Sequence, residues 1–152
     1  MAPPPPQPSP AAEIMGSCLA GRTRLLNRAI TGLYDESLRA VGVTAAQLTT
    51  LSFVHELGPI APGEIARTLM IEKSTLSRNL GRMERHGWIS IAQGEAGHTQ
   101  VIAITRRGRA LIARALPRWE RAQARARELL GEGGADAVIE AFNSVRARGA
   151  YR

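Results

Sequence analysis

The alternation of apolar and polar residues along the chain predicts a mainly α protein with one short pair of strands. Four stretches place apolar residues three, four or seven positions apart, the period of a helix that buries one face. These stretches are residues 13–41, 44–57, 106–130 and 135–148. Two β-branched runs, 89–92 and 100–104, flank a glycine-bearing loop and predict a β-hairpin. We therefore expect a helical fold that carries a small hairpin.

Two further short helices are expected between residues 62 and 88, joined by a tight turn. The first is predicted over Gly63–Met70, because the proline before it suits a helix start, where its missing N–H needs no partner. The second is predicted over Lys73–His86, with Gly87 as its stop. Its apolar residues repeat at i, i+4 and i+7 and should face the core. They are Leu76, Leu80 and Met83.

The other sides of the second short helix are polar and basic. Serine and threonine at a helix start cap free N–H groups, and the same hydroxyls can bond phosphates or base edges. Arginine can grip guanine by two hydrogen bonds, and asparagine can do so for adenine. The residues that we expect to contact DNA on this helix are Lys73, Ser74, Thr75, Ser77, Arg78, Asn79 and Arg82.

Two short helices with such a polar face have the layout of a helix-turn-helix that reads DNA. For a lone helix, an amphipathic helix with a solvated basic face would be the better interpretation. The preceding helix, the turn and the hairpin favour DNA reading. The hairpin is then a wing, whose tip at residues 94–100 carries Glu95 and His98 but no Arg or Lys. Its attraction for phosphate should be weak, with some contribution from His98 when that ring is protonated.

The composition and positive charge of the chain favour a polyanion as its partner. The chain has 152 residues and a formal net charge of +7, with Lys73 as its single lysine. Such a surplus favours nucleic acid first and anionic membranes second. Residues 1–12 are proline-rich and predict a disordered tail that lacks the features of a signal peptide. Because no apolar run is long enough to span a bilayer, we expect a soluble, cytoplasmic protein with no membrane partner.

Few residues suggest chemistry. Cys18 is the only cysteine, so no disulfide can form within the chain. It is expected to be a small buried hydrophobe, with a redox sensor or a bridge between subunits as the alternative. The three histidines, His55, His86 and His98, are scattered and form no metal set. No nucleotide-binding, hydrolase or metalloprotease motif is present. We therefore expect no cofactor, no metal and no enzymatic activity.

The long helices carry more apolar surface than a small winged domain can cover. This holds for the helices over 13–41 and 106–130 and for the last helix, 135–148. An intertwined two-fold dimer would bury these faces. We accordingly expect residues 13–41 and 106–148 to form a helical dimerisation region, and residues 42–105 to form the winged DNA-binding lobe.

The sequence resembles the MarR family of winged helix-turn-helix transcriptional regulators over about residues 14–148. Three motifs carry the resemblance. They are IEKSTLSRNL at 71–80, MERHGWI at 83–89 and ITRRGRAL at 104–111. The resemblance implies a homodimer that binds a pseudo-palindromic operator on double-stranded DNA, usually as a repressor. It also implies release of DNA by a small, often aromatic or phenolic, effector, or by oxidation of a cysteine, here Cys18.

Within this resemblance, Ser74, Thr75, Ser77 and Arg78 match the start of the family's recognition helix, while Asn79 and Arg82 come from helix geometry. The wing departs from the pattern, because Gly97–Gln100 replaces an acidic–arginine pair. The family's effector cavity lies between helices, and the residues it would involve here are Arg22, Leu26, Leu48, Ser52 and His55. The remaining alternatives are a winged helix used for protein contact and a DNA-coating protein without sequence preference.

Overall fold

A computed structural model describes residues 9–94 and 99–149 of the chain. The elements are α1 (Pro10–Ser17), α2 (Leu19–Leu38), a single 3₁₀ turn (Arg39–Val41), α3 (Ala45–Leu57), α4 (Pro62–Leu69), α5 (Lys73–Arg85), β1 (Ile89–Gln93), β2 (Gln100–Ile104), α6 (Arg106–Leu130) and α7 (Gly134–Ala147). The predicted fold class, mainly α with one β-hairpin, is confirmed. None of the described helices is both long and apolar enough to cross a bilayer.

The chain divides into two compact units within α2, between Gly32 and Leu33. In the described part of the first unit, residues 9–32, no side chain is fully buried. The single helix predicted from residue 13 is wrong in two respects. The first helix already begins at Pro10, because the Ser9 hydroxyl caps it by accepting the Ala12 N–H at 3.2 Å. It then ends at Cys18, whose ψ of 107° is extended.

Residues 1–8 lie outside the described part of the chain, so the prediction of a disordered tail stays a prediction there. For Pro10–Ala12, which are helical, that prediction is wrong. Proline is tolerated at the first position of a helix, where its missing N–H would have no partner in any case. The proline-rich composition therefore does not prevent the helix from starting at this point.

The second unit holds an aliphatic core with α3 at its centre. The buried core side chains come from every element of this unit except the 3₁₀ turn and α7. The largest fully buried ones are Leu38, Thr50, Leu51, Val54, Ile65, Leu76, Met83, Ile102 and Leu111. Leu57, the last residue of α3, is 58% exposed, because it lies in the last turn before Gly58 ends the helix.

The start of α3 is fixed by two sets of hydrogen bonds. Thr44 and Gln47 form a capping box, with the Gln47 N–H donating to the Thr44 hydroxyl at 3.2 Å and the Thr44 N–H donating to the Gln47 side chain at 3.0 Å. The Asp35 carboxylate, at the end of α2, accepts the Ala45 N–H at 2.7 Å. This carboxylate also suits the positive end of the α3 dipole.

The predicted hairpin is confirmed. β1 and β2 pair antiparallel, with Ile89 opposite Ile104 and Gln93 opposite Gln100. Ile60 adds an isolated bridge to the outer edge, since it exchanges two backbone hydrogen bonds of 2.8 and 3.0 Å with Ile102. The tip of the hairpin, residues 95–98, lies outside the described residues, so the prediction for His98 is untested there.

The start of α6 packs against the two residues, Gly87 and Trp88, that precede β1. Thr105 caps α6, and its hydroxyl donates to the carbonyl oxygen of Gly87 at 2.7 Å. Gly108, in the next turn, is buried against the carbonyl of Trp88. A Cβ on Gly108 would lie only 2.1 Å from that oxygen, so only glycine fits at this position. This contact fixes the direction of α6 relative to the segment between α5 and β1.

Gly108→Ala should therefore destabilise the protein by about 1–3 kcal/mol, the usual cost of overpacking, because a backbone oxygen cannot move aside as a flexible side chain can. Chemical denaturation followed by circular dichroism measures this change. The matched control is Gly63→Ala in α4, where a Cβ meets nothing within 4 Å. Equal stability of the two variants would contradict the close approach of Gly108 and Trp88.

Candidate nucleic-acid interface

The helix-turn-helix is built by α4, a three-residue turn and α5. Met70 ends α4 in the left-handed conformation, with φ 52° and ψ 42°, and it is the one non-glycine residue with positive φ in the described chain. The turn is closed by the Ile71 N–H, which donates to the Ala66 carbonyl at 3.0 Å. A tight turn of this kind brings α5 back across α4, as the sequence predicts.

The inner face of α5 is the predicted apolar stripe. Leu76, Leu80 and Met83 are all buried in the core, so this prediction is confirmed. The helix advances roughly 100° per residue, and the opposite side is therefore occupied by Ser74, Arg78 and Arg85. All three are exposed. The prediction of DNA contacts omitted Arg85, although the helical period places it directly in line with Arg78.

The remaining predicted residues of α5 divide into three groups. Thr75 and Arg82 are exposed at the edges of the outer face. Lys73 and Ser77 lie on one flank, where they line a groove. Asn79 is half-buried beside the apolar stripe and is the least accessible of the seven. The structure therefore groups Ser74, Thr75, Arg78 and Arg82 on one continuous polar surface, which also includes Arg85. We call this surface the outer face of α5.

The start of α5 is capped by Glu72, not by Ser74 or Thr75 as expected. The Glu72 carboxylate accepts the Thr75 N–H at 3.1 Å and also accepts the Ser74 hydroxyl. The Thr75 hydroxyl lies 3.5 Å from the same oxygen. The capping prediction fails because the turn ends one residue before Lys73, which leaves Ser74 and Thr75 inside the first turn.

These hydrogen bonds hold the pKa of Glu72 below the usual range of a glutamate, with the Ser74 hydroxyl as the largest cause and the Ser74 and Thr75 backbone N–H groups next. A carboxylate with a lowered pKa is charged at neutral pH. The N-terminal end of α5 therefore already carries one negative charge, in a position that the helix dipole favours.

The hydrogen-bond chain continues from Glu72 along the outer face. The Arg78 guanidinium donates to the Thr75 hydroxyl at 3.4 Å. α5 carries four basic side chains against one acidic side chain, Glu84. Within the described residues, the ion pairs lie elsewhere, on α4 and between α6 and its neighbours α2 and α7. The cations of α5 are thus available to an external anion.

A groove with a volume of about 460 Å³ runs along the flank of α5. It lies between α4, α5 and the two strands of the wing. Its lining residues are Pro62, Gly63, Ala66, Lys73, Leu76, Ser77, Leu80, Gly81, Ile91 and Gln100. None of the five residues predicted for an effector cavity lines this groove. The sequence could have suggested it only through Gly63 and Gly81, which leave space between the two helices.

The predicted effector residues fall in both units of the chain. In the first unit, Arg22 is exposed and donates to the Gly16 carbonyl, and Leu26 is half-buried. In the second unit, Leu48 is buried in the core, Ser52 is half-buried and His55 is exposed. These residues are divided between the two units, so the predicted cavity stays a prediction.

Cys18, the predicted redox residue, lies between α1 and α2 and is half-buried. Its sulfur accepts a hydrogen bond from the Gly21 N–H at 3.4 Å, in the first turn of α2. The inert, fully buried cysteine that we expected is therefore wrong on burial. Across residues 9–94 and 99–149, no three His, Cys, Asp or Glu side chains are grouped as metal ligands would be.

The geometry described above defines a winged helix-turn-helix. The sequence profile of the MarR family matches residues 41–98, which begin at the end of the 3₁₀ turn and include α3, α4, α5 and β1. A structure of the transcriptional regulator MosR from M. tuberculosis, in complex with DNA, is 30% identical and superimposes with a TM-score of 0.76 over 90% of this chain and 99% of its own. The chain belongs to the MarR family of transcriptional regulators.

The fold is shared with a further solved structure, and part of the sequence is similar to regulators from Bacillus. A mutant of MarR from E. coli complexed with operator DNA has the same fold, with a TM-score of 0.78 over 91% of this chain, at 19% identity. An uncharacterized HTH-type transcriptional regulator of Bacillus cereus is 31% identical over 85 residues. The regulator YwoH of Bacillus subtilis is 29% identical over 79 residues. The chain spans 56% and 58% of the lengths of these two Bacillus relatives.

Proposed function

We propose that this protein is a transcriptional regulator that binds duplex DNA by placing the outer face of α5 in the major groove. One observation carries the proposal. Arg78, Arg82 and Arg85 project from a helix whose opposite side is fixed in the core, and their charges have no acidic partner within the described chain. A rigid helix with free cations and hydroxyls suits the contacts that position and specify a DNA sequence.

The proposal gives different side chains different roles. Arg78 lies at the centre of the outer face and would reach a guanine edge, where its two donors match the O6 and N7 acceptors. Ser74 and Thr75 would bond base edges near the start of the helix. Lys73 and Arg85, at the two ends, would contact phosphates on either side of the groove. The MosR structure, at 30% identity, supports DNA as the partner, because that regulator was solved in complex with DNA.

We further propose that the protein acts as a homodimer on a pseudo-palindromic operator. The support is the apolar face of α7, which consists of Val138, Ile139, Phe142 and Val145 and has no buried member. On α6, Leu116, Trp119 and Leu129 are also exposed. A single chain leaves these side chains in water, and a two-fold partner would cover them. Such a dimer bound over a promoter would block transcription, so a repressor is the role we propose.

Selection of binding sites from random duplex DNA tests this function. We expect a two-fold symmetric motif whose half-sites are about one helical turn apart, because each subunit would present one α5. Binding that depends on salt but shows no preferred sequence would instead indicate DNA coating. No binding even in dilute salt would indicate a winged helix used for protein contact. Either result would contradict the proposal.

Release by a small molecule is also a proposal, with two possible sites. One is the predicted set around Leu48, Ser52 and His55. The other is the groove beside α5, where a bound molecule would contact Lys73 and Ser77 and would compete directly with DNA. A compact aromatic acid fits this chemistry, because the groove combines apolar walls with one cation.

A redox switch is the second candidate mechanism, favoured by one observation. Cys18 is partly exposed and its sulfur accepts the Gly21 N–H at the start of α2.

We expect a phenolic acid such as salicylate to release DNA from the wild type and from Cys18→Ser alike in a gel-shift assay, and peroxide to leave both complexes bound. Release by peroxide from the wild type alone would replace the small-molecule proposal with the thiol switch.

A further inference from the structure

An unbroken set of hydrogen bonds links the cap of α5 to the outer face. The Glu72 carboxylate accepts the Thr75 N–H at 3.1 Å and the Ser74 hydroxyl. The Thr75 hydroxyl, 3.5 Å from this carboxylate, accepts the Arg78 guanidinium at 3.4 Å. Three of the proposed DNA-contacting residues are therefore connected to one acidic residue, Ser74 and Thr75 directly and Arg78 through Thr75. Glu72 was not among the site residues predicted from the sequence.

The start of α5 would otherwise attract any phosphate. The free N–H groups of a helix N-terminus point at anions, and Lys73 and two hydroxyls stand beside them. Such a site would bind the backbone of every DNA sequence equally well, since phosphates carry no sequence information. The Glu72 carboxylate already occupies this position and adds a negative charge that repels a phosphate placed there.

We propose that Glu72 is a specificity-determining residue, which excludes DNA phosphates from the backbone N–H groups at the start of α5 and holds Ser74, Thr75 and Arg78 in the orientation that reads bases. The inference rests on the proposed function, that α5 enters the major groove. Specificity is a difference between the affinities for two DNA sequences. A group that weakens binding to every sequence raises specificity if ordered base contacts offset that loss only on the correct site.

The test compares two fluorescent duplexes, the selected operator and a scrambled duplex of the same composition, by anisotropy over a series of salt concentrations. Glu72→Gln keeps the shape and a capping oxygen but removes the charge. We expect it to bind the scrambled duplex about two- to fivefold more tightly, the range for one charge at a helix terminus. Affinity for the operator should stay level or fall, so the ratio of the two affinities decreases.

Two further variants separate specificity from net charge and from folding. Glu84→Gln removes the same charge from the same helix away from the cap, and it should leave the ratio unchanged. Glu72→Asp keeps both the charge and a capping oxygen, so its ratio of operator affinity to scrambled-duplex affinity should equal that of the wild type. Melting curves followed by circular dichroism show whether each variant keeps its fold.

The outcomes divide clearly. If Glu72→Gln raises both affinities equally, or if Glu84→Gln lowers the ratio as much, Glu72 acts only through net charge and the inference is overturned. If the wild type itself does not distinguish the operator from the scrambled duplex, the proposed function fails first. Discrimination by the wild type that survives in Glu72→Gln removes the inference about Glu72 alone.

Discussion

Phe142→Asp should convert the protein to a monomer and lower its affinity for the operator by on the order of 10²–10⁴-fold, the gain that two linked binding modules provide. Phe142 lies near the centre of the apolar face of α7 and is 48% exposed in the single chain. A charge at this position would have to lose its water in the proposed interface, and burial of an unpaired carboxylate is costly. Sedimentation equilibrium and anisotropy measure the two effects.

The control for this variant is Asn143→Asp, which adds the same charge one residue further along α7. Asn143 is exposed and lies about 100° around the helix from Phe142, off the apolar face. It should leave both the dimer and the operator affinity close to those of the wild type. A wild type that sediments as a monomer, or a Phe142→Asp variant that stays dimeric, would exclude the apolar face of α7 as the interface.

Arg78→Ala should weaken operator binding by about 1–3 kcal/mol and remove the preference at one base position of each half-site. The reason is that Arg78 stands at the centre of the outer face and its guanidinium is ordered by the Thr75 hydroxyl. Two donors lost from one base edge should change sequence preference, whereas a lost phosphate contact should not. Anisotropy with duplexes altered at single positions measures both quantities.

Arg67→Ala is the matched control, because it removes one arginine from the other helix of the motif. The Arg67 guanidinium is exposed and lies 3.9 Å from the Glu64 carboxylate. Its loss should affect all duplexes equally and should leave the base preferences intact. A flattened preference in Arg67→Ala, with an unchanged one in Arg78→Ala, would mean that α4 and not α5 reads the bases.

The helix-turn-helix was predictable because its signals are local. The i, i+4, i+7 spacing of Leu76, Leu80 and Met83 fixes which side of α5 is buried, and all three are buried. Gly87 ends the helix region with a φ of 69°, the left-handed conformation that glycine tolerates. Both features depend on residues within one segment of the chain.

The cap of α5 was not predictable to the same degree. Glu72, Ser74 and Thr75 all carry oxygens that can cap a helix, and the choice among them depends on where the turn ends. The predicted start of α5 at Lys73 is correct, but the capping role was assigned to Ser74 and Thr75, which lie inside the first turn. The consequence matters for function, because Ser74 and Thr75 become partners of Glu72.

Two other features of the structure, the break at Cys18 and the close approach of Gly108 to Trp88, were not predicted for different reasons. The apolar spacing continues across Cys18, so the pattern predicted one helix where there are two. Periodicity reports burial, and residues 9–32 have no fully buried side chain to constrain it. The contact between Gly108 and the Trp88 carbonyl joins residues 20 positions apart, and only the folded chain shows why glycine is needed there.

A methylation footprint of the selected operator tests the central claim most directly. Dimethyl sulfate attacks guanine N7, which lies in the major groove, where the outer face of α5 is proposed to bind. The account predicts two protected clusters about one helical turn apart, one per half-site, and loss of protection at one guanine in each cluster when Arg78 is alanine. Full reactivity of every guanine N7 in the bound operator would contradict it.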